Sequence, residues 1–379
     1  MLLTRVLVIA VLLLVANDVF ATPQLARQYR VDCSHCHVAP PRLNARGLAF
    51  LISGYEGAEI GTPQPTVPIA LWNTFDLERR HTADLTKGFP GRVELISVGT
   101  LPRTRIAYFA EWRAVSYGIG GNRRLLSRAG RFEDLFVRVP VSRGNTAALT
   151  VGQFRALTQV DVSLRLSVSE PLAFSSGVPT VGGVGSARLR SLRAFSPSGR
   201  QPGVRLEYQR AAGSSPDGWY GTVTLPLTGE LTVPIAEAAS FEFEARPKGV
   251  FGEAYRRWGL SSLGGHVFLG DDRRLGSVVV THDVQRLSLI GSVGRFNAAG
   301  ATDTRFSIGG EYTIHQPTLI AGVRVDDRTT AGQTTAVLIY GNVHVPFGPA
   351  AFRQALRLQV EQRVQRRNHV TAIALSHVF

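Results

Sequence analysis

The sequence predicts a mostly β chain: a closed antiparallel β-barrel of about 16 strands, with a short N-terminal α-helical segment plugging its lumen. Three observations lead there. From about residue 67 to the end, apolar and polar residues alternate with period two in segments near ten residues long. One of the two alternating sets is richly charged even in central segments: Arg205, Glu207, Gln209; Glu242, Glu244, Arg246; Arg357, Gln359, Glu361. A large soluble sandwich would have to turn every one of these outward. A barrel sets them in a wet lumen and gives its apolar set to lipid. The last residue, Phe379, closes an amphipathic strand with Leu375 and Val378, which resembles the C-terminal signature of bacterial outer-membrane proteins. The barrel is therefore expected in the bacterial outer membrane.

Taken in chain order, residues 1–21 read as a secretory signal: Arg5 is a short basic start, and Val6 to Ala16 is an apolar run too short to span a bilayer. Val19-Phe20-Ala21 ends in a small residue suited to cleavage, and export puts the rest of the chain in an oxidising compartment. Cleavage also removes Met1, the one methionine.

Residues 22–66 form a separate segment with two helix-like patterns. In "PQLARQYRVDCSHCH", Leu25, Tyr29 and Cys33 fall on one helical face. In "NARGLAFLISG", Asn44 is an N-cap and Gly54 a C-terminal stop, with Leu48, Leu51 and Ile52 as the apolar stripe between. The proline-rich "GTPQPTVP" reads as a linker. Residues 67–379 are the barrel. Their strands include "ASFEFEAR", "RLSLIGSVGRF", "AVLIYGNVHVP" and "ALRLQVEQRVQR", parted by turns such as "NAAGATD" and "DDRTTAGQ".

The formal charge is +14, and Lys87 and Lys248 are the two lysines among 42 basic residues. So basic a chain suits an anionic neighbour: lipid headgroups, lipopolysaccharide or acidic groups in a pore. The export signal argues against nucleic acid.

Both cysteines lie in "VDCSHCHVAP". Cys-x-x-Cys-His is the attachment signal for c-type haem. One helical turn between Cys33 and Cys36 lets each thiol add to one porphyrin vinyl group, and His37 then faces the iron as proximal ligand. A Cys33–Cys36 disulfide of thioredoxin type would need a βαβ context. Zinc needs four ligands, and Cys33, His35, Cys36 and His37 are too crowded for one tetrahedron. One covalent haem c is the expectation. The sixth iron position has no methionine to fill it. It is open to a lysine, to water or to His81, His266, His282, His315, His344, His369 or His377, with His81 the nearest in sequence.

The stretch "CSHCHVAPPRLNARGLAFLISGY" resembles the haem segment of the fused outer-membrane monohaem cytochrome c–porins, a group that includes iron-oxidising outer-membrane cytochromes. The match consists of Cys33, Cys36, His37, Pro41-Arg42-Leu43-Asn44, Gly47, Phe50 and Gly54-Tyr55, with "FATPQLARQYRVD" similar upstream. It covers about 35 residues. The resemblance implies that Pro41, Arg42, Leu43, Asn44, Phe50 and Tyr55 pack about the haem. It also implies electron transfer between the cell exterior and the periplasm, with extracellular Fe(II) as donor and a soluble periplasmic cytochrome as carrier. Whether the chain is an Fe(II) oxidase in its own right stays open. The chain is short for the group, and no iron site is visible in its sequence.

One haem cannot bridge an apolar band roughly 25 Å tall. The donor must come into the lumen, or the haem must sit high in it. Lumen arginines would neutralise haem propionates and hold back cations. Two other readings stay in play: a passive diffusion porin with a structural or sensory haem plug, and a soluble periplasmic β-protein with a haem domain.

Overall fold

The computed structural model describes residues 23–39, 42–55 and, with short breaks, 60–116, 131–159, 200–227, 240–241 and 249–378. The expected signal (1–21), Pro41, His81 and Phe379 lie outside the described residues, as do Glu242, Glu244 and Arg246.

The chain after the N-terminal segment is a closed antiparallel meander of 16 strand positions. They are β1 (Ala70–Arg80), β2 (Ala83–Lys87, continued by Arg92–Thr100), β3 (Ala107–Ser116), β4 (Arg131–Pro140), β5 (Ala147–Arg155), β6 (Arg200–Ala211), β7 (Gly218–Pro226) and β8 (Gly249–Trp258). There follow β9 (Ser261–Gly270), β10 (Arg273–Val284), β11 (Leu287–Ala298), β12 (Ala301–His315), β13 (Leu319–Arg328), β14 (Ala336–Phe347), β15 (Gln354–Gln365) and β16 (Asn368–Val378). Every strand pairs with its neighbour in sequence, and β16 closes on β1 from Val370↔Arg80 to Val378↔Trp72. Both halves of β2 pair with β1, which makes them one position in the wall. The two-residue strand Ser240–Phe241 adds to β4 in parallel. Among the described residues, no helix is long and apolar enough to cross a membrane; the crossing is made by strands.

The side chains sort as the alternation predicts. Exposed positions are large and apolar: Leu206, Val223, Leu269, Val278, Val280, Val293, Ile339, and Ile308 at 67 % exposure. Buried positions on the same strands are polar or charged: Arg205, Glu253, His266, Arg305, Glu311, Gln359, Glu361, and Arg324 at 2 %. A soluble fold has the reverse. An apolar outside and a polar inside, on a sheet without edges, meet the two demands of a bilayer.

The lumen charges are largely tied to one another. Arg138 Nε and Arg205 Nε donate to the two carboxylate oxygens of Glu207 at 2.8 and 2.9 Å, and Thr150 Oγ1 adds a 2.5 Å bond. Asp303 and Arg305 pair at 2.8 Å, and Arg324 and Asp326 at 3.0 Å. Partners two residues apart on a strand share a face, so the pattern is local. These arginines face carboxylates.

Connections at the end holding Ala70 and Val378 are short, running from 259–260 to 101–106 and 348–353. The long ones, 117–130, 156–199 and 227–248, leave from the opposite end. The start of 156–199 turns into the lumen and reaches the far wall. Ala156 packs on Phe251, Phe268, Leu275 and Phe296, and Leu157 on Val279. The Glu253 carboxylate accepts the backbone N–H of Thr158 (2.9 Å) and of Gln159 (2.8 Å).

Candidate functional site

The N-terminal segment contains α1 (Pro23–Tyr29), α2 (Cys33–Cys36), α3 (Ala45–Ile52) and a small ribbon of His37–Ala39 with Arg42–Leu43. The single helical face expected through Leu25, Tyr29 and Cys33 is broken between α1 and α2. Arg30 has φ +52° and Asp32 is extended, so the helix stops at Tyr29 and a new turn starts at Cys33. The Val31 N–H closes the first helix on Ala26 O at 3.1 Å.

The turn that carries Cys33 and Cys36 is then built by its neighbours. Cys33 and Cys36 sit one turn apart on α2, both are buried, and no disulfide joins them. His37 follows as the extended C-cap, and its N–H bonds to Cys33 O. Asn44 works in two directions. Its Oδ1 accepts from Gly47 N at 2.9 Å and caps α3, as expected. Its Nδ2 donates to Ser34 O (2.9 Å) and His35 O (3.1 Å), which fastens α3 to α2. Gly47 allows the close approach: a Cβ there would stand 2.0 Å from Cys36 O. Gly47→Ala is expected to push α3 off the Cys33–Cys36 turn at a cost of about 1–3 kcal/mol. The unfolding midpoint of the purified protein in urea should fall accordingly; an unchanged midpoint sinks the explanation.

The other end of α3 accounts for Phe50, Gly54 and Tyr55 together. Gly54 has φ +77°, its N–H bonds to Leu51 O at 3.1 Å, and Tyr55 N–H reaches back to Phe50 O at 2.9 Å. This is a Schellman stop, and its usual apolar contact is present as an edge-on Phe50–Tyr55 pair 5.7 Å apart. The same rings join Cys36, Ile60, Val98 and Ala107 in one buried cluster, with Tyr29 and Phe109 packed against it. Burial pushes the Cys36 thiol up to about 11, an effect Arg46 partly offsets, so Cys36 is a neutral thiol at neutral pH. Burial also lowers His35, whose Nδ1 lies 3.0 Å from Arg46 Nη1.

The segment touches both sides of the barrel at the end where the strands begin and finish. On one side Gln24 and the Val98 backbone share two hydrogen bonds: Gln24 Nε2 donates to Val98 O at 2.6 Å, and Val98 N–H donates to Gln24 Oε1 at 3.2 Å. Arg27 Nη2 donates to Ile69 O at 2.8 Å, and Thr100 Oγ1 to Gly54 O at 3.3 Å. On the other side Arg42 pairs with Asp283 of β10 and with Glu311 of β12, and Val38 packs on Ile320 and Tyr340. Leu43 is buried in the ribbon.

The expected residues Cys33, Cys36, His37, Asn44, Phe50 and Tyr55 therefore share one compact region, while the Arg42 side chain turns away to the wall. Two thiols one turn apart with a histidine next in sequence are the donor set that a covalent haem requires. Of the other histidines, His266 is hydrogen-bonded by Ser277 at 2.8 Å and His282 lies 3.3 Å from Ser261 Oγ.

A second cluster was not legible in the sequence. Glu94 of β2, Glu111 of β3 and Glu133 of β4 bring carboxylate oxygens within 4.8 Å of one another, with Arg113 paired to Glu94 and Glu133. Hard oxygen donors in that number can hold a divalent cation. Pairing alone brings them together: each is an ordinary charged residue on an alternating strand. Below them on the same strands lie Ile96, Phe109 and Phe136, the last two rings stacked at 5.6 Å.

No family model and no curated protein matches the chain. Solved structures do. An anion-selective porin from Comamonas acidovorans is 12 % identical, with 82 % of this chain and 99 % of that one covered, at a TM-score of 0.50. A loop-deletion mutant of OmpT, an outer membrane protein of Vibrio cholerae, is 10 % identical, with 83 % and 99 % covered, at 0.44. A mutant porin of Rh. blastica is 11 % identical, with 82 % and 99 % covered, at 0.48. The fold is porin-like.

Proposed function

We propose that the protein carries electrons across the outer membrane through one haem c joined to Cys33 and Cys36, with His37 as proximal ligand. The carrying observation is the attachment segment itself: a Cys-x-x-Cys-His turn without a disulfide, seated across one end of a porin-like barrel. The haem, when bound, supplies a one-electron redox centre. The chain's residues set its position: Asn44 and Gly47 hold α3 on the attachment turn, and Gln24 and Arg42 fix the segment to the wall. Short turns on the terminal side and long loops on the other match the periplasmic and extracellular ends of bacterial barrels. The haem segment then lies on the periplasmic side, within reach of a soluble carrier.

Fe(II) as the extracellular donor is implied by the resemblance to iron-oxidising outer-membrane cytochromes. The Glu94–Glu111–Glu133 group suits it chemically. On the same strands Ile96 follows Glu94, Phe109 precedes Glu111 and Phe136 follows Glu133, within two or three residues each. Phe109 packs on the cluster that includes Cys36.

The test is reduction of the haem in proteoliposomes. A c-type band should appear in the reduced-minus-oxidised spectrum and should respond to Fe(II) added outside. Glu94→Gln with Glu111→Gln should leave the spectrum unchanged and slow that reduction, each lost carboxylate weakening the ion by about tenfold, or about 1.4 kcal/mol. A haem that external Fe(II) never reduces would favour the second reading, a diffusion porin with a structural or sensory haem plug. Likeness to an anion-selective porin is the observation on that side.

A further inference from the structure

The N-terminal segment is fastened to the barrel in two different ways. On the β2–β3 wall it uses backbone hydrogen bonds and apolar contacts: Gln24 with Val98, and Phe50 and Tyr55 with Val98 and Ala107. On the other wall it uses a charged cluster, with Val38 packed beside it on Ile320 and Tyr340. Arg42, 6 % exposed, pairs with Asp283 and with Glu311 at 3.4 Å, and Tyr340 Oη donates to Glu311 Oε1 at 3.0 Å. In a ring of 16 strands, β2 and β10 are eight positions apart, which is half the circumference. The segment thus bridges the lumen, and its second footing rests on Arg42.

We propose that Arg42, Asp283, Glu311 and Tyr340 form a latch that holds the N-terminal segment docked across the barrel, so that breaking the cluster releases the segment without opening the wall. A buried guanidinium between two carboxylates is costly to separate, because each partner left behind is a desolvated charge. The contact is also not local: Arg42 and Glu311 are 269 residues apart in sequence. No strand hydrogen bond depends on Arg42, so the barrel ladder from β10 to β14 persists when the latch is gone. Its natural role is to fix where the segment sits. The inference needs only the barrel and the segment, and it stands whether or not haem occupies Cys33 and Cys36.

Trypsin cleavage after Arg27 reads the docked state, because that side chain is 8 % exposed and bonded to Ile69 O. Cleavage in the turn of Arg103 and Arg105, both exposed, is the internal reference. In purified full-length protein in detergent, Arg42→Gln is expected to speed cleavage after Arg27 by about tenfold, with the reference rate unchanged. Asp283→Asn with Glu311→Gln should do the same. The triple variant should be no faster than the quicker of the two, since all remove one interaction. Tyr340→Phe keeps the ring against Val38 and should give a smaller rise of about twofold. Heat-modifiable migration confirms a closed barrel in each variant. Unchanged cleavage after Arg27 in Arg42→Gln, or effects that simply add in the triple variant, overturn the latch. If Arg42→Gln does not close a barrel, Tyr340→Phe decides: no rise above wild type overturns it.

Discussion

Replacing Cys33 and Cys36 together by serine is expected to remove the covalent haem entirely while leaving the barrel closed. The reason is chemical and structural at once. Thioether attachment needs both sulfurs, and no other cysteine exists in the chain to substitute. The barrel, by contrast, is built from 16 positions whose ladder bonds involve none of residues 23–55. Haem-stained gels and the pyridine haemochrome spectrum read the first part, and heat-modifiable migration reads the second. Haem that stays bound after denaturation in the double variant would end the covalent reading. Loss of the heat shift as well would mean that haem attachment is needed for barrel closure, a different protein from the one proposed.

The second large effect is expected at Glu207. Its carboxylate holds both Arg138 and Arg205 and takes the Thr150 hydroxyl, all in the lumen wall of β4, β5 and β6. Glu207→Gln leaves two buried guanidiniums facing a neutral amide. Breaking a buried pair from one side costs about 3–5 kcal/mol. The loss should appear as a lower unfolding midpoint in urea with the same denaturant slope. A further effect follows inside the lumen, because the Arg138 guanidinium lies against Gly54: a Cβ on that glycine would be 2.8 Å from Arg138 Nη1. Freed from Glu207, Arg138 can swing into the segment. A midpoint within experimental error of wild type would show that the arginines find other carboxylates. Glu207→Asp, which keeps the charge, should recover most of the stability.

The barrel was legible in the sequence because lipid contact demands it one residue at a time. Ile308, Leu269 and Val278 face out and Arg305, His266 and Ser277 face in, and period two records this without reference to any distant residue. Asn44 and Gly54 were legible for a similar reason: a helix cap is satisfied within a few residues of itself. What could not be read depends on pairing. The three glutamates meet because the pairing of β2, β3 and β4 sets Glu94 opposite Arg113 and Glu111 opposite Ile96, close enough for the carboxylates to converge with Glu133, and a single strand does not announce its register. Arg42 was assigned from its motif neighbours, but its partners lie 241 and 269 residues downstream. The break at Arg30 was missed because an apolar stripe cannot reveal a left-handed residue inside it.

The seam between β1 and β16 has a consequence for biogenesis. Those strands are the first and last of the wall, so the cylinder is not sealed until the C-terminal residues arrive. The segment bridging the lumen precedes β1 and touches β2, β3, β10 and β12. It comes first in the chain, so every partner it has on the wall is made after it, and its two footings form only once β2–β3 and β10–β12 stand opposite one another.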